Sequence, residues 1–543
     1  MSLPLLEPKP LPLGTPSYEA VRQRLIKSLS DSIPSSLHVS ESLLTSSKNV
    51  TQIPRLSGIL TESELNITES YDAVGIAEAI RSRKLTSVEA VSAFAKRAAI
   101  AHQLTSCLTE WFMDEALERA KELDKILEET GKPVGPLHGV PVSIKVHLPM
   151  KGHTSSKGFV ATIQKDTYDG HAVKILREAG AVFYCKTNQP QVIMHLESDS
   201  VYGRVLNPYN INLTAGGSSG GEAALLAMRG SVLGIGSDIG GSIRQPAAVC
   251  GIYGFKPTGN LFPHMEALPG GASSELNIPA CSGPMCVSLR DVDFCMKVFL
   301  ETKPWLEDPI LIPTNWKGLQ KGDGVKIGIM MDDGAIMPQP PVTKALEWAT
   351  EKLDAAGIKW KKFEVENVAQ ATKNIHRAYF PSGADGVKGL LDGAGEPNLP
   401  LTEYLLHDVG LVDVEGVYAM QLERNEYRRA FTRKWEEQDV DVIICPSFVG
   451  PAATHDTAKY WNYTSLWNYL DCPGLVFPTP IVADSTKEDY QGFDTEQCKE
   501  VQRLWKEGDF DGAPINLQIV ARRYHDNQIF EALEQVKDAF GLK

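Results

Sequence analysis

The 543-residue sequence predicts an α/β protein built around an internal mixed β-sheet. Three observations carry that reading. Stretches with helical period alternate with short apolar runs of strand length. Glycine clusters stand where a run meets a helix. No internal repeat and no long low-complexity tract breaks the alternation, so one compact body with an inserted or appended subregion is expected.

The elements follow in chain order. Residues 1–70 read as a partly helical extension: prolines 4, 8, 10 and 12 open it, a helix covers 18–29, and serine-rich sequence fills 30–48. The main body is placed at 71–543. A helix covers 73–83, and Thr86-Ser87-Val88-Glu89 forms a capping box that opens the next, running to about 102. A third helix spans 114–129. Residues 140–145 read as a short buried strand, 171–180 as a helix and 181–186 as a strand. A helix at 222–229 directly follows one glycine cluster, and a strand at 231–236 directly precedes another. A subregion near 304–408 carries strands at 325–331 and 358–365 around an amphipathic helix at 342–356. A long helix at 417–437, strands at 440–445 and 515–521 and a last helix at 528–540 complete the chain.

Composition narrows the function. Hydrophobic content of 43% and charged content of 22% are ordinary for a soluble globular chain. A net charge of −14 argues against a nucleic-acid-binding face. No apolar run reaches the ~18 residues of a membrane span, and the proline-broken N-terminus lacks the charged start of a signal peptide. Nine cysteines at irregular spacing are read as reduced thiols of a cytoplasmic protein. The sequons at Asn49, Asn66, Asn212 and Asn462 are then chance matches. Cys281 and Cys286 have no matching second pair, and no His-Glu-x-x-His occurs, so neither metal nor cofactor is expected.

Three segments carry chemistry. In Ser237-Asp238-Ile239-Gly240-Gly241-Ser242-Ile243-Arg244, glycines after a strand allow successive backbone N–H groups to converge on one point. An oxyanion needs that geometry, and Ser242 stands where it could attack the same carbonyl. The plainer reading is a packing turn. In Gly216-Gly217-Ser218-Ser219-Gly220-Gly221, the Ser218 hydroxyl both donates and accepts, so it can pass a proton. Its plainer reading is a helix N-cap. Lys145 ends the apolar strand. Burial would lower its pKa, and moving from about 10.4 to about 7 corresponds to roughly 4.6 kcal/mol. Its plainer reading is a lysine that snorkels to solvent.

Taken together, 216–222 with 231–246 resemble the amidase signature family, and 139–145 resembles that family's lysine strand. The resemblance runs from about Ser57 to Ala539. Ser57-Gly58-Ile59-Leu60-Thr61-Glu62, Lys96-Arg97-Ala98-Ala99-Ile100-Ala101 and Gly512-Ala513-Pro514-Ile515 are similar to fungal acetamidase-type members. The resemblance implies the amidase signature fold, a central mixed twisted sheet surrounded by helices. It also implies amide hydrolysis of a small-molecule substrate by a Ser–Ser–Lys triad: Ser242 as nucleophile, Ser218 as bridge after a cis peptide at Gly217, and Lys145 as base. Backbone N–H groups of Ile239, Gly240, Gly241 and Ser242 would form the oxyanion hole, with Asp238 and Arg244 as supports. A homodimer is the expectation from the family. One departure stands out: Val146 occupies a position where many relatives carry aspartate, and His147-Leu148-Pro149-Met150 is also unusual.

Other folds and functions also fit parts of the sequence. Residues 216–220 also fit the G-x-S-x-G elbow of α/β-hydrolases, with His455 or His525 as base. Against it, 210–215 reads as too polar for the strand the elbow needs, and the second glycine cluster stays unexplained. A tRNA-linked amidotransferase subunit shares the signature, and an inactive amidase-fold binding protein would keep the scaffold. The aromatic run Tyr460, Trp461, Tyr463, Trp467 and Tyr469 is read first as core, with lining of an acyl pocket by some of it as the second reading.

Overall fold

The computed structural model describes residues 3–269, 278–322, 324–407 and 409–543. Met1 and Ser2 of the expected extension, and Asp408 at the end of the expected subregion, lie outside the described residues.

Eleven strands form one mixed sheet: β1 (Leu108–Trp111), β2 (Pro141–Lys145), β3 (Val182–Thr187), β4 (Leu233–Asp238), β5 (Tyr253–Lys256), β6 (Cys281–Cys286), β7 (Ile327–Ile329), β8 (Trp360–Lys362), β9 (Val442–Pro446), β10 (Gly474–Val482) and β11 (Pro514–Ala521). Their order across the sheet is β1-β3-β2-β4-β6-β5-β10-β11-β9-β7-β8. The strands β3, β2 and β4 run parallel, and antiparallel pairs flank them. The subregion after residue 304 adds β7 and β8 to an edge of this same sheet.

Every residue of β2, β3 and β4 is buried, polar side chains included, so both faces of these central strands are covered. The helix Ser87–Thr105 starts at Thr86 with both halves of the capping box formed, and almost all its side chains are buried. Four strands escape the sequence reading: β1 and β5, each only four residues long, and β6 and β10, which breakers interrupt. Gly283 and Pro284 lie inside β6, and Pro478 and Pro480 inside β10. Proline removes a ladder donor, so both segments look like loops until the neighbours are in place.

The N-terminal residues cross the body. The helix Pro16–Ser32 is capped by Thr15, and Leu29, Ile33, Leu37 and Val39 enter the main core. Leu6 N–H donates to the Gln103 carbonyl, Lys9 pairs with Asp456, and Thr15 N–H donates to the Gly395 carbonyl. Among the described residues, no helix is long and apolar enough to cross a membrane. The nine cysteines are all buried thiols.

Candidate active site

Parallel pairing brings the chemistry together. Leu233, Gly234 and Ile235 of β4 pair with Val142, Ser143 and Ile144 of β2. Parallel neighbours end on the same side of the sheet, so Lys145 at the end of β2 emerges beside Ser237 and Asp238 at the end of β4. The crevice outside the carboxyl ends of such strands is the usual ligand site of an α/β sheet.

Lys145 is wholly buried. Its Nζ lies 2.7 Å from Ser218 Oγ and 3.1 Å from Ser237 Oγ. Burial pushes its pKa down to about 7, against the opposing pull of the Asp238 and Glu222 carboxylates. Glu222 accepts hydroxyl hydrogen bonds from Ser143 at 2.5 Å and Thr187 at 2.8 Å. Burial raises its carboxyl to about 7 despite those two donors and the charge of Lys145.

Ser218 follows a cis peptide bond from Gly217, whose N–H donates to Gln245 Oε1. The neighbouring Ser219 ties the two glycine clusters together. Its N–H donates to the Ser242 carbonyl at 3.0 Å, and its hydroxyl accepts from Ser237 N–H at 3.3 Å. Ser219, rather than Ser218, occupies the cap position of the helix Gly220–Ala227, and it makes no capping bond there. Lys145 and Ser218 are thus in direct contact, and the Ser219 N–H bond places the Ser242 backbone next to Ser219. Ser242 keeps 6% of its surface exposed, against 1% for Ser218.

Asp238 and Arg244 organise the second cluster. The Asp238 carboxylate accepts from the N–H groups of Gly241 (2.9 Å), Ile243 (3.1 Å) and Arg244 (3.4 Å). It also accepts from the Arg244 guanidinium and from Asn468. Burial works to raise this carboxyl, but the Arg244 charge and hydrogen bonds outweigh it and hold it well below the usual range. The loop geometry revises the donor set expected from the sequence. Gly241 N–H is engaged by Asp238, which leaves Ile239, Gly240 and Ser242 as the three N–H groups not taken up among the described residues.

Several neighbours went unnoticed in the sequence. Ser237 is the lysine's second hydroxyl partner, although it opens the second glycine cluster. His264 Nδ1 is 2.8 Å from Ser282 Oγ, and Ser282 pairs with Ser237 across β4 and β6. A cavity of about 460 Å³ opens beside His264, with Phe262, Met265, Ile310 and Leu311 in its walls. Val146 is buried, and its N–H continues the β2–β3 pairing to the Thr187 carbonyl. The His147 ring is buried, with neither nitrogen hydrogen-bonded among the described residues.

The rival elbow fares differently from its reading. Asn210–Thr214 is a strand after all, since Asn207 and Leu206 supply a partner that its polar sequence did not reveal. It lies in a separate two-stranded ribbon, outside the main sheet. His455 Nε2 contacts the Ile211 carbonyl and His525 Nδ1 the Arg523 carbonyl. Glu197, Asp199 and Asp456 bring three carboxylates together, and the Arg204 guanidinium meets all three at 2.8–3.5 Å. Trp461, Tyr463, Trp467 and Tyr469 are buried, and Tyr460 is half-buried.

Comparison with known proteins agrees with this architecture. The family model described as Amidase matches residues 89–530. An amidase of Gibberella zeae is 35% identical over 542 residues, covering 96% of this chain and 99% of its own. An acetamidase of Emericella nidulans is 34% identical over 520 residues, covering 92% and 94%. Among solved structures, a fatty acid amide hydrolase superposes with a TM-score of 0.89 at 34% identity, covering 97% of this chain and 95% of its own.

Proposed function

Because the chain belongs to the amidase family and has the amidase signature fold, we propose that it hydrolyses the C–N bond of a carboxylic amide through an acyl-serine on Ser242. The observation that supports this most directly is the buried Lys145 amine, 2.7 Å from the Ser218 hydroxyl.

The steps follow from the donors and acceptors present. Neutral Lys145 takes the Ser218 proton while Ser218 takes that of Ser242. Ser242 Oγ bonds to the amide carbon, and the carbonyl electrons move to oxygen. The oxyanion is received by the N–H groups of Ile239, Gly240 and Ser242. When it collapses, the C–N bond breaks and the proton returns from Lys145 through Ser218 to the departing nitrogen. Ammonia or an amine leaves. Water then attacks the ester by the same relay, which releases the acid and restores Ser242. Gly217, Asp238 and Arg244 touch no substrate in this scheme; they hold the two loops in register. The cytoplasm, whose reducing poise suits nine buried thiols, is the compartment proposed.

The test is a hydrolysis screen across primary amides of rising acyl length, run beside Ser242→Ala and a fluorophosphonate label. Wild-type protein should turn over at least one amide and label at Ser242. The Ser242→Ala variant should lose label and fall by at least ~10⁴-fold in kcat. A wild-type-like rate in that variant would refute the acyl-serine.

A further inference from the structure

Each carbonyl from Ile239 to Ser242 accepts a hydrogen bond, while the N–H groups of Ile239, Gly240 and Ser242 are not taken up among the described residues. In a trans peptide the C=O of one residue and the N–H of the next point in opposite directions. Whatever grips the carbonyl therefore aims the amide. The Gly241 carbonyl accepts from Gln245 N–H at 2.7 Å, inside the turn that starts the helix Arg244–Val249, and this aims Ser242 N–H. The next two anchors come from remote parts of the chain. The Tyr379 hydroxyl, at the end of the helix Val368–Tyr379, donates to the Ile239 carbonyl at 2.9 Å. The Thr464 hydroxyl, in the helix Asn462–Leu470, donates to the Gly240 carbonyl at 2.7 Å and also lies 3.0 Å from the Trp461 carbonyl.

We propose that Tyr379 and Thr464 are positioning residues for the oxyanion hole: Tyr379 turns Gly240 N–H away from the helices toward the incoming acyl oxygen, and Thr464 holds the Gly240–Gly241 peptide with Gly241 N–H on Asp238, which fixes the direction of the flanking Gly240 and Ser242 N–H groups. This rests on the acyl-serine reading above.

Three further observations agree with it. Both side chains are buried, so no water competes for the carbonyls. Burial, followed by the nearby Asp238 charge, raises the Tyr379 phenol well above its ordinary value and keeps it a donor. The two glycines also fit these helices closely. A methyl on Gly240 would stand 2.6 Å from the Tyr379 hydroxyl and 2.9 Å from the Trp461 ring, and one on Gly241 would run into the Thr464 hydroxyl. Gly241 has φ of +132°, a backbone that side chains disfavour. The glycines thus serve a second need beyond convergent N–H groups: they let two hydroxyls reach the main chain. A carbonyl that accepts a hydrogen bond also polarises its own peptide, which strengthens the N–H on the far side as a donor.

The effect should appear in the transition state, where the oxyanion exists, and leave ground-state binding alone. The experiment uses full-length Tyr379→Phe, Thr464→Val and Thr464→Ser, with active sites counted by end-point fluorophosphonate labelling. Per labelled site, Tyr379→Phe and Thr464→Val should each lose roughly 10- to 100-fold in kcat with KM within about twofold. Thr464→Ser, which returns the hydroxyl, should recover most of the rate. A purely structural role would lower the melting temperature and the count of labelled sites, while kcat per site stayed at the wild-type value; that result overturns the proposal. If Tyr379→Phe does not fold, the Thr464 pair decides by the same criterion. Failure of wild-type protein to label at Ser242 is a separate outcome: it removes the acyl-serine reading, and this inference with it.

Discussion

Lys145 and Lys186 stand on neighbouring strands, both wholly buried, both bonded to a serine hydroxyl, and they have opposite neighbourhoods. Ile144, not Lys145, pairs with Lys186 across β2 and β3, so the two side chains leave opposite faces of the sheet. Lys186 meets the Leu148 carbonyl at 3.0 Å, Ser155 Oγ at 2.9 Å and the Asp166 carboxylate at 3.7 Å. Ser155 in turn donates to Asp166 at 2.6 Å. Burial lowers Lys186 to about 8, and Asp166 and Glu110 resist that fall. Its acceptors favour an ammonium that fastens the 148–166 segment. Among the described residues, Lys145 hydrogen-bonds only hydroxyls, those of Ser218 and Ser237, and a hydroxyl serves an amine equally as donor or acceptor. Burial alone makes a lysine easier to deprotonate; a carboxylate at hand takes that freedom back.

Replacing each lysine breaks the comparison most directly. Lys145→Met keeps the length and removes the amine, so kcat should fall by roughly 10³- to 10⁴-fold while the fold survives. A fall under tenfold, measured on the best amide of the screen, would show that the amine is not the base. Lys186→Met should do the reverse. Its kcat stays within about threefold of wild type, but stability drops by about 3–5 kcal/mol because Asp166 is left buried without its cation. Thermal unfolding followed by circular dichroism reads this, and adding Asp166→Asn should restore most of the loss.

A pH profile sharpens the contrast further. In the proposed mechanism the productive form carries Lys145 neutral, so kcat/KM should rise with pH through about 7 and hold above it. Below that midpoint the amine is protonated and cannot accept from Ser218. Glu222 titrates in the same range and raises Lys145 when charged, so the limb belongs to the pair. Glu222→Gln removes that charge and should move the midpoint to lower pH by up to about one unit. A midpoint that stays put or rises in this variant would detach the limb from Lys145.

Features confined to one contiguous segment were legible in the sequence. The lysine strand, the two glycine clusters and the capping box at Thr86 each announce themselves through local pattern, and the structure forms the corresponding elements within a few residues. Features set by distant partners were not. Tyr379 and Thr464 meet their carbonyls across 140 and 224 residues, and nothing local marks either side chain. The direction of Gly241 N–H is likewise invisible to a sequence, since glycine admits many orientations and Asp238 selects one. The strands β6 and β10 hid behind their prolines.

The fit of Gly240 and Gly241 against two helices reaches beyond one reaction cycle. A backbone clamped on one side by its own turn and on the other by Tyr379, Trp461 and Thr464 offers no room for substitution. Change at this loop is closed to descendants of such a protein, so new preferences have to arise elsewhere in the chain. A laboratory library seeking new acyl groups should follow suit: freeze Gly240, Gly241, Tyr379, Trp461 and Thr464, and spend its diversity elsewhere.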